Sequence, residues 1–401
     1  MLLTTDLGIM KLFYTPLQNK EKKMNFDQYL NALPAKINSE LEAARLLSSL
    51  PLLRQITSEL KPDTIICCDI KELNAALEFY KGQEHRIRAF HVLGLKEEIK
   101  NKNVKIIPFT TFTKEDNIHC FFLPDLRPAC TAYRNLSIAL SKLNIQEYTI
   151  EAKSASKFYR RNSFIFINNM LQTAIDNYNV LEDNLSRYTY LAVWKSRHVC
   201  NPGYIPMAEY DQYWHPLVCA KENDIICEGG PCDGRTTVEF TQKLNHSCQI
   251  VTFEPDPQYY KNTAANCGAY PNIEIVAKGL YDFTGTLYIN TDNYVKVVKQ
   301  KIKEEDFECP VTSIDDYFLN TKYDRVDFIK MDIEGAELNA LMGAKQILRR
   351  DKPNLAICIY HNRIDFITIP EFLRKLDLGY KLYAGHHRPW YAETVIYATA
   401  R

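Results

Sequence analysis

Four short apolar runs in this chain each end in a residue that can hold a hydroxyl or move a proton: Glu228 after Ile225 to Cys227, Glu254 after Gln249 to Phe253, Asp332 after Val326 to Met331, and His361 after Leu355 to Ile359. Runs of this length and composition read as buried parallel strands, so the polar residues would gather at the carboxyl edge of one sheet, where such sheets bind ligands. Past Glu228 comes a turn with Gly229, Gly230 and Gly234, and then a helix from Thr236 to Leu244. Glycine lets backbone approach a ligand, and a carboxylate ending the next strand, Glu254, has the placement to accept both hydroxyls of a ribose. The full Gly-x-Gly-x-x-Gly spacing is absent and Pro231 removes an amide donor, so a pyrophosphate would be poorly cradled. A nucleoside without phosphate fits better, and S-adenosylmethionine is the common one.

The elements that must position these residues follow from pattern. In the second half, strands and helices alternate from about residue 212 to the end, including a helix from Leu338 to Leu348, one from Ile369 to Leu376, strands at Tyr380–Tyr383 and Glu393–Ala398, and a hairpin within Gly285 to Val298. A smaller parallel α/β domain is expected over residues 61–154, where strand-like runs at Thr64–Cys68, Ile87–Leu93, Val104–Phe109, Ile118–Leu123 and Tyr148–Ile150 alternate with helical ones such as Glu72–Tyr80 and Ala129–Leu143. Its first turn has no glycine, which favours a structural or protein-contacting module, although Asp69, Lys71, Pro124 and Asp125 stand where they could line a pocket. Residues 1–60 read as a helical lead-in broken near Pro34 and Pro51. Residues 155–211 read as a helical connection, with Phe164, Ile167, Met170, Leu171 and Ile175 on one stripe, followed by an aromatic segment through Tyr204, Tyr210, Tyr213 and Trp214 that either covers a site or packs on a sheet.

The totals set bounds. The chain has 401 residues, enough for two domains, and Lys plus Arg balances Asp plus Glu at 49 each, so no overall field favours nucleic acid or an anionic membrane. No apolar run reaches the roughly 20 residues that span a bilayer, and the start has no signal pattern. The twelve cysteines are scattered through apolar runs, as buried free thiols of a reducing compartment would be. A cytoplasmic protein is expected, with no nucleic-acid partner and no membrane insertion; homo-oligomerisation is left open.

Residues 185–399 resemble the FkbM family of S-adenosylmethionine-dependent methyltransferases. Ser186-Arg187 and Tyr213-Trp214 are similar to its lead-in, Glu228 to Gly234 to its Asp-x-Gly-Ala-x-x-Gly turn, and Phe253-Glu254-Pro255-Asp256-Pro257 to its Glu-Pro-Asp signature. The run from Asp327 to Glu337 is close to the family's most diagnostic segment, and Ile359-Tyr360-His361, His386-His387 and Glu393-Thr394 match its ending. Glu228 in place of Asp, and Pro231-Cys232 in the turn, depart from the pattern and bear on cofactor affinity. The resemblance implies a Rossmann-like sheet of seven strands in the order 3-2-1-4-5-7-6, S-adenosyl-L-methionine as cofactor, and O-methylation of a hydroxyl on a sugar, glycan or natural-product acceptor.

On that footing Glu228, Gly229, Gly230, Gly234, Glu254 and Asp332 are the candidate cofactor residues. Methyl transfer needs the acceptor oxygen in line with the methyl carbon, and a weakly nucleophilic hydroxyl gains from a base. Asp332 and His361 are the candidate catalytic pair, the histidine as base near its ordinary pKa of about 6.5, with Glu334, Glu337 and His386 orienting substrate. Acidic residues also favour a helix start, and a strand-end histidine is often simply satisfied. Asp332, Glu334 and His361 carry donor types that divalent ions accept, but their spacing is not diagnostic and no metal ligand is assigned. Two other readings stand beside this one: a binding or scaffolding protein with a degenerate turn, and an NAD-dependent dehydrogenase, which the incomplete fingerprint disfavours.

Overall fold

Apolar runs without alternation become strands buried on both faces. The computed structural model describes residues 26–51, 63–70, 73–111, 120–123, 150–152, 170–198, 202–290, 296–298, 307–388 and 391–401. Five strands come first: β1 (Thr64–Asp69), β2 (Ile87–Leu93), β3 (Ile106–Pro108), β4 (Cys120–Leu123) and β5 (Ile150–Ala152). They form one parallel sheet in the order β3-β2-β1-β4-β5. Ile65, Ile66, Cys67 and Cys68 of β1 are all inaccessible to solvent, which is why that strand reads as a continuous apolar run. The helix expected at Ala129–Leu143, and the pocket candidates Lys71, Pro124 and Asp125, lie outside the described residues.

Helices Phe26–Ala32 and Glu40–Ser49 are separated near Pro34, as the sequence indicates. Ser39 caps the second by accepting from the Glu42 amide, replacing one bond that a helix start lacks. The first packs on helix Asn184–His198, with the Tyr29 and Tyr188 rings edge to face at 5.7 Å, and the second on helix Leu171–Asn179; between them the Tyr178 hydroxyl donates to the Pro34 carbonyl at 2.6 Å and Asn179 bonds both backbone groups of Ile37. Leu171 and Ile175 of the expected stripe are buried there; Phe164 and Ile167 lie outside the described residues. Helix Asn184–His198 does more than connect. Tyr188, Tyr190, Trp194 and Arg197 are among the largest fully buried side chains of the molecule, so this helix is itself core.

The second sheet takes β6 (Ile225–Gly229), β7 (Gln249–Phe253) and β8 (Ile273–Val276) on one side. A small sheet intervenes, made of β9 (Gly279–Leu280), β10 (Gly285–Asn290), β11 (Lys296–Val298) and β12 (Phe307–Thr312) in the order β11-β10-β12-β9. The hairpin expected within 285–298 is β10 paired with β11, Tyr288 opposite Val298, and it is enlarged by β12 and β9. Then come β13 (Phe328–Met331), β14 (Asn354–Cys358), β15 (Lys381–His386) and β16 (Thr394–Thr399). The sheet runs β15-β16-β14-β13-β6-β7-β8, with β16 antiparallel to both neighbours. Counted along its own strands this is 3-2-1-4-5-7-6, the order implied by the resemblance.

One expected helix is two. Leu338–Leu348 is divided into Glu337–Met342 and Lys345–Asp351 around Gly343, where a Cβ would stand 2.3 Å from the Tyr281 carbonyl oxygen. The second piece starts on Asp315, whose carboxylate accepts from the Gln346 and Ile347 amides at 2.9 Å, a cap supplied from far away in sequence. Among the described residues no helix is long and apolar enough to cross a membrane.

Candidate active site

The parallel strands deliver Glu228-Gly229-Gly230, Glu254, Asp332 and His361 to one edge. In the turn after β6, Gly230, Cys232 and Gly234 take φ values of 72°, 59° and 81°, the left-handed region where a side chain is disfavoured. The glycines also admit other backbone. A Cβ at Gly230 would lie 1.9 Å from the Asp332 carbonyl oxygen, and one at Gly234 would lie 3.1 Å from the Thr263 Cα. So the turn is pressed against the loop that carries Asp332.

Glu228 is not open to solvent at that edge. It is fully buried; the Thr237 hydroxyl donates to its Oε2 at 2.5 Å, and the Lys330 ammonium lies 3.5 Å from Oε1. Lys330, also buried, donates to the carbonyls of Gly229 at 3.2 Å and Gly230 at 2.6 Å. The sequence expectation of a ligand contact for Glu228 is thus replaced by a supporting one: it anchors the ammonium that shapes the turn.

Glu254 ends β7 and accepts from the Asp256 amide at 2.9 Å. Its second oxygen has no hydrogen-bond donor among the described residues. Burial lifts its carboxyl to about 7; the Asp256 amide and Lys330 act against this, while Asp256 and Glu228 add to it.

Asp332 is held from two sides. The Tyr213 hydroxyl donates to Oδ2 at 2.8 Å and the Tyr360 hydroxyl to Oδ1 at 3.0 Å. His361 Nε2 lies 3.3 Å from Oδ1 and 3.7 Å from Glu334 Oε2, while Nδ1 lies 2.8 Å from Glu337 Oε1. Burial pushes the Asp332 carboxyl up, yet Lys330, His361 and the two tyrosine hydroxyls outweigh it and hold it below the usual range. For His361 burial opposes the charged ring, and Glu337, Asp332 and Glu334 overcome it, raising the ring to about 10. The form present near neutrality is the imidazolium, not the neutral base expected from an unperturbed histidine.

The other expected substrate residues divide. Glu334 has its side chain 79% exposed at the mouth of the site, on a backbone φ of 56°. Glu337 is completely buried behind His361 and also accepts from the Ile333 amide at 2.9 Å, so it positions the ring and cannot touch a substrate. His386 is buried within β15, with Nδ1 2.8 Å from the Thr394 hydroxyl.

Sequence reasoning missed several members. Gln212 donates to Glu393 Oε2 at 2.6 Å, Arg388 lies 3.4 Å from Glu393 Oε1, and Tyr213 meets Cys358 Sγ at 3.6 Å. Burial raises the Glu393 carboxyl and Asp332 adds to this, against Arg388. The aromatic segment before β6 was visible, but it packs inward: Tyr213 is 5% exposed and Trp214 lies 5.3 Å from Phe240. Its Tyr213 hydroxyl reaches Asp332, and the neighbouring Gln212 reaches Glu393. Donor atoms of Asp332, Cys358 and Glu393, and of Asp332, Glu337 and His361, lie within 4.8 Å of one another, but these groups are engaged with hydroxyls, amides and each other, so no metal-ligand role is assigned.

Residues 228–382 match the family described as the methyltransferase FkbM domain. Over 151 residues the chain is 23% identical to the 2-O-methyltransferase NoeI of Sinorhizobium fredii (strain NBRC 101917 / NGR234), a stretch covering 33% of this chain and 62% of NoeI. The chain therefore spans less than two thirds of that relative. The crystal structure of a methyltransferase FkbM from Methylobacillus flagellatus KT is similar with a TM-score of 0.52 and 20% identity, over 89% of this chain and 97% of that one, a likeness of fold.

Proposed function

Since this chain carries a methyltransferase FkbM domain at residues 228–382, we propose that it uses S-adenosylmethionine to methylate a hydroxyl of a sugar, glycan or natural-product acceptor. The observation that carries the reading is the convergence of Glu254, the Gly229-Gly230 turn and Asp332 on one sheet edge. The residues fit the nucleoside: Glu254 keeps an oxygen with no donor among the described residues, suited to a ribose diol, and the turn has no side chain at Gly229 or Gly230 to obstruct it. When bound, S-adenosylmethionine supplies an electrophilic methyl on a sulfonium. Asp332, ionised and fixed by Tyr213 and Tyr360, orients the acceptor hydroxyl, and the Asp332–His361 pair takes up its proton as the new carbon–oxygen bond forms. Glu334 contacts the acceptor at the mouth, while Glu228, Glu337 and Lys330 hold the machinery in place. That NoeI is a 2-O-methyltransferase supports a hydroxyl acceptor.

Calorimetric titration with S-adenosylmethionine, then mass spectrometry of candidate glycans incubated with labelled cofactor, tests this. Asp332→Asn should still bind the uncharged S-adenosylhomocysteine and turn over about 10²- to 10⁴-fold more slowly. Unchanged turnover removes Asp332 from its role, and absence of cofactor binding by the wild type leaves a scaffolding protein instead.

A further inference from the structure

Nδ1 of His361 is hydrogen-bonded to Glu337 at 2.8 Å, and its buried Nε2 lies 3.3 Å from Asp332 Oδ1 without a hydrogen bond among the described residues. The His361 side chain is 8% exposed, and acids meet it from several elements: Glu337 from helix Glu337–Met342 and Asp332 and Glu334 from the preceding loop within 3.7 Å, with Asp365 from helix Asp365–Lys375 and Glu393 from the residue before β16 acting on it electrostatically. Cations are fewer, with Lys330 acting on Asp332 and Arg388 on Glu393. The Tyr360 ring, 4.0 Å away centroid to centroid, fixes the orientation of the imidazole. Such a cluster holds one positive charge firmly and has room for that charge to come from elsewhere.

Building on the cofactor assigned above, we propose that His361 is protonated in the free protein and releases its proton when the sulfonium of S-adenosylmethionine arrives beside Asp332, so that cofactor binding itself creates the base. Asp332 neutralises either cation well but both poorly, because two like charges on one carboxylate disfavour each other. The discharged Nε2 then has a free lone pair. In the transfer step the acceptor oxygen bonds to the methyl carbon, the carbon–sulfur electron pair stays on sulfur, and the hydroxyl proton comes to rest on Nε2. The sulfur is then a neutral thioether, so the imidazolium is again the favoured form and the resting state is restored. One proton leaves per turnover, and it leaves at cofactor binding.

Calorimetry at pH 8 in buffers of differing ionisation heat counts protons released on binding. The two probes are S-adenosylmethionine and S-adenosylhomocysteine, which lacks the positive charge. The wild type should release more protons with the first, the difference approaching about one per site, and His361→Gln should abolish that difference while still binding S-adenosylhomocysteine. Glu337→Gln, which keeps the shape but removes the nearest carboxylate, should shrink it. Equal proton counts for the two probes, or a difference surviving in His361→Gln, overturns the inference and leaves Asp332 as the sole proton acceptor. If neither probe binds the wild type, the methyltransferase reading beneath it fails, and this inference with it.

Discussion

Replacing Gly230 with alanine asks whether the turn is built around its contact with the Asp332 loop. The new Cβ would stand 1.9 Å from the Asp332 carbonyl oxygen and 2.8 Å from its carbon. A close carbon–oxygen contact is about 3.3 Å, so the two loops must part by roughly 1.4 Å. The backbone φ of 72° adds a second penalty, about 1–2 kcal/mol for an L residue in the left-handed region. Overpacking contributes about 1–3 kcal/mol more, for a total of roughly 2–5 kcal/mol. Gly379 separates the two effects, since its φ is 80° and an added Cβ meets nothing within 4 Å. Gly379→Ala should therefore lose only the conformational part, about 1–2 kcal/mol. Urea unfolding followed by tryptophan fluorescence, with Trp214 reporting on the second sheet, gives both numbers. If Gly230→Ala is no less stable than Gly379→Ala, the loop contact is not what requires glycine there.

Lys330→Met leaves the Glu228 carboxylate buried without its cation, so stability should fall by about 3–5 kcal/mol and calorimetry should find cofactor binding lost; wild-type melting would contradict the anchoring role. Glu254 is held up to about 7 from an ordinary 4.5, so its ionised form, which accepts ribose hydroxyls best, fills in as pH rises. S-adenosylhomocysteine affinity should climb between pH 5.5 and about 7 and then level off; Glu254→Gln should bind weakly with no such slope. The same raised carboxyl stabilises nothing above its ordinary range and costs stability as pH rises from 4.5 through about 7. His361 has the opposite sign: its raised ring contributes stability that is full below 6.5 and lost as pH rises through about 10, up to about 5 kcal/mol. Glu337→Gln should shrink that alkaline loss in pH-dependent unfolding.

The strand ends were readable because a parallel strand buried on both faces is mostly apolar until it stops, and an acid or imidazole just past the apolar run marks the edge. That logic placed Glu228, Glu254, Asp332 and His361 together without any contact being visible. It could not say which way each side chain turns. Glu228 and Glu254 end neighbouring strands, yet one is turned under the turn by Thr237 and Lys330 while the other keeps an open oxygen. Glu337 looked like an acidic residue at a helix start, and it is one, but its complete burial behind His361 depends on how β14 delivers that ring. Tyr213 reaches Asp332 across 119 residues of sequence, a pairing no local spacing encodes. The break at Gly343 had a local sign in the glycine, but the cap that makes it necessary comes from Asp315.

Lys330 has a consequence for anyone exchanging parts between relatives. The carbonyls that give the glycine turn its shape are held from β13, so the segment from Glu228 to Gly234 is not a portable module. A graft of that segment alone would import the glycines and leave behind the ammonium that bends them. To be inherited as a working unit, the turn must travel with position 330.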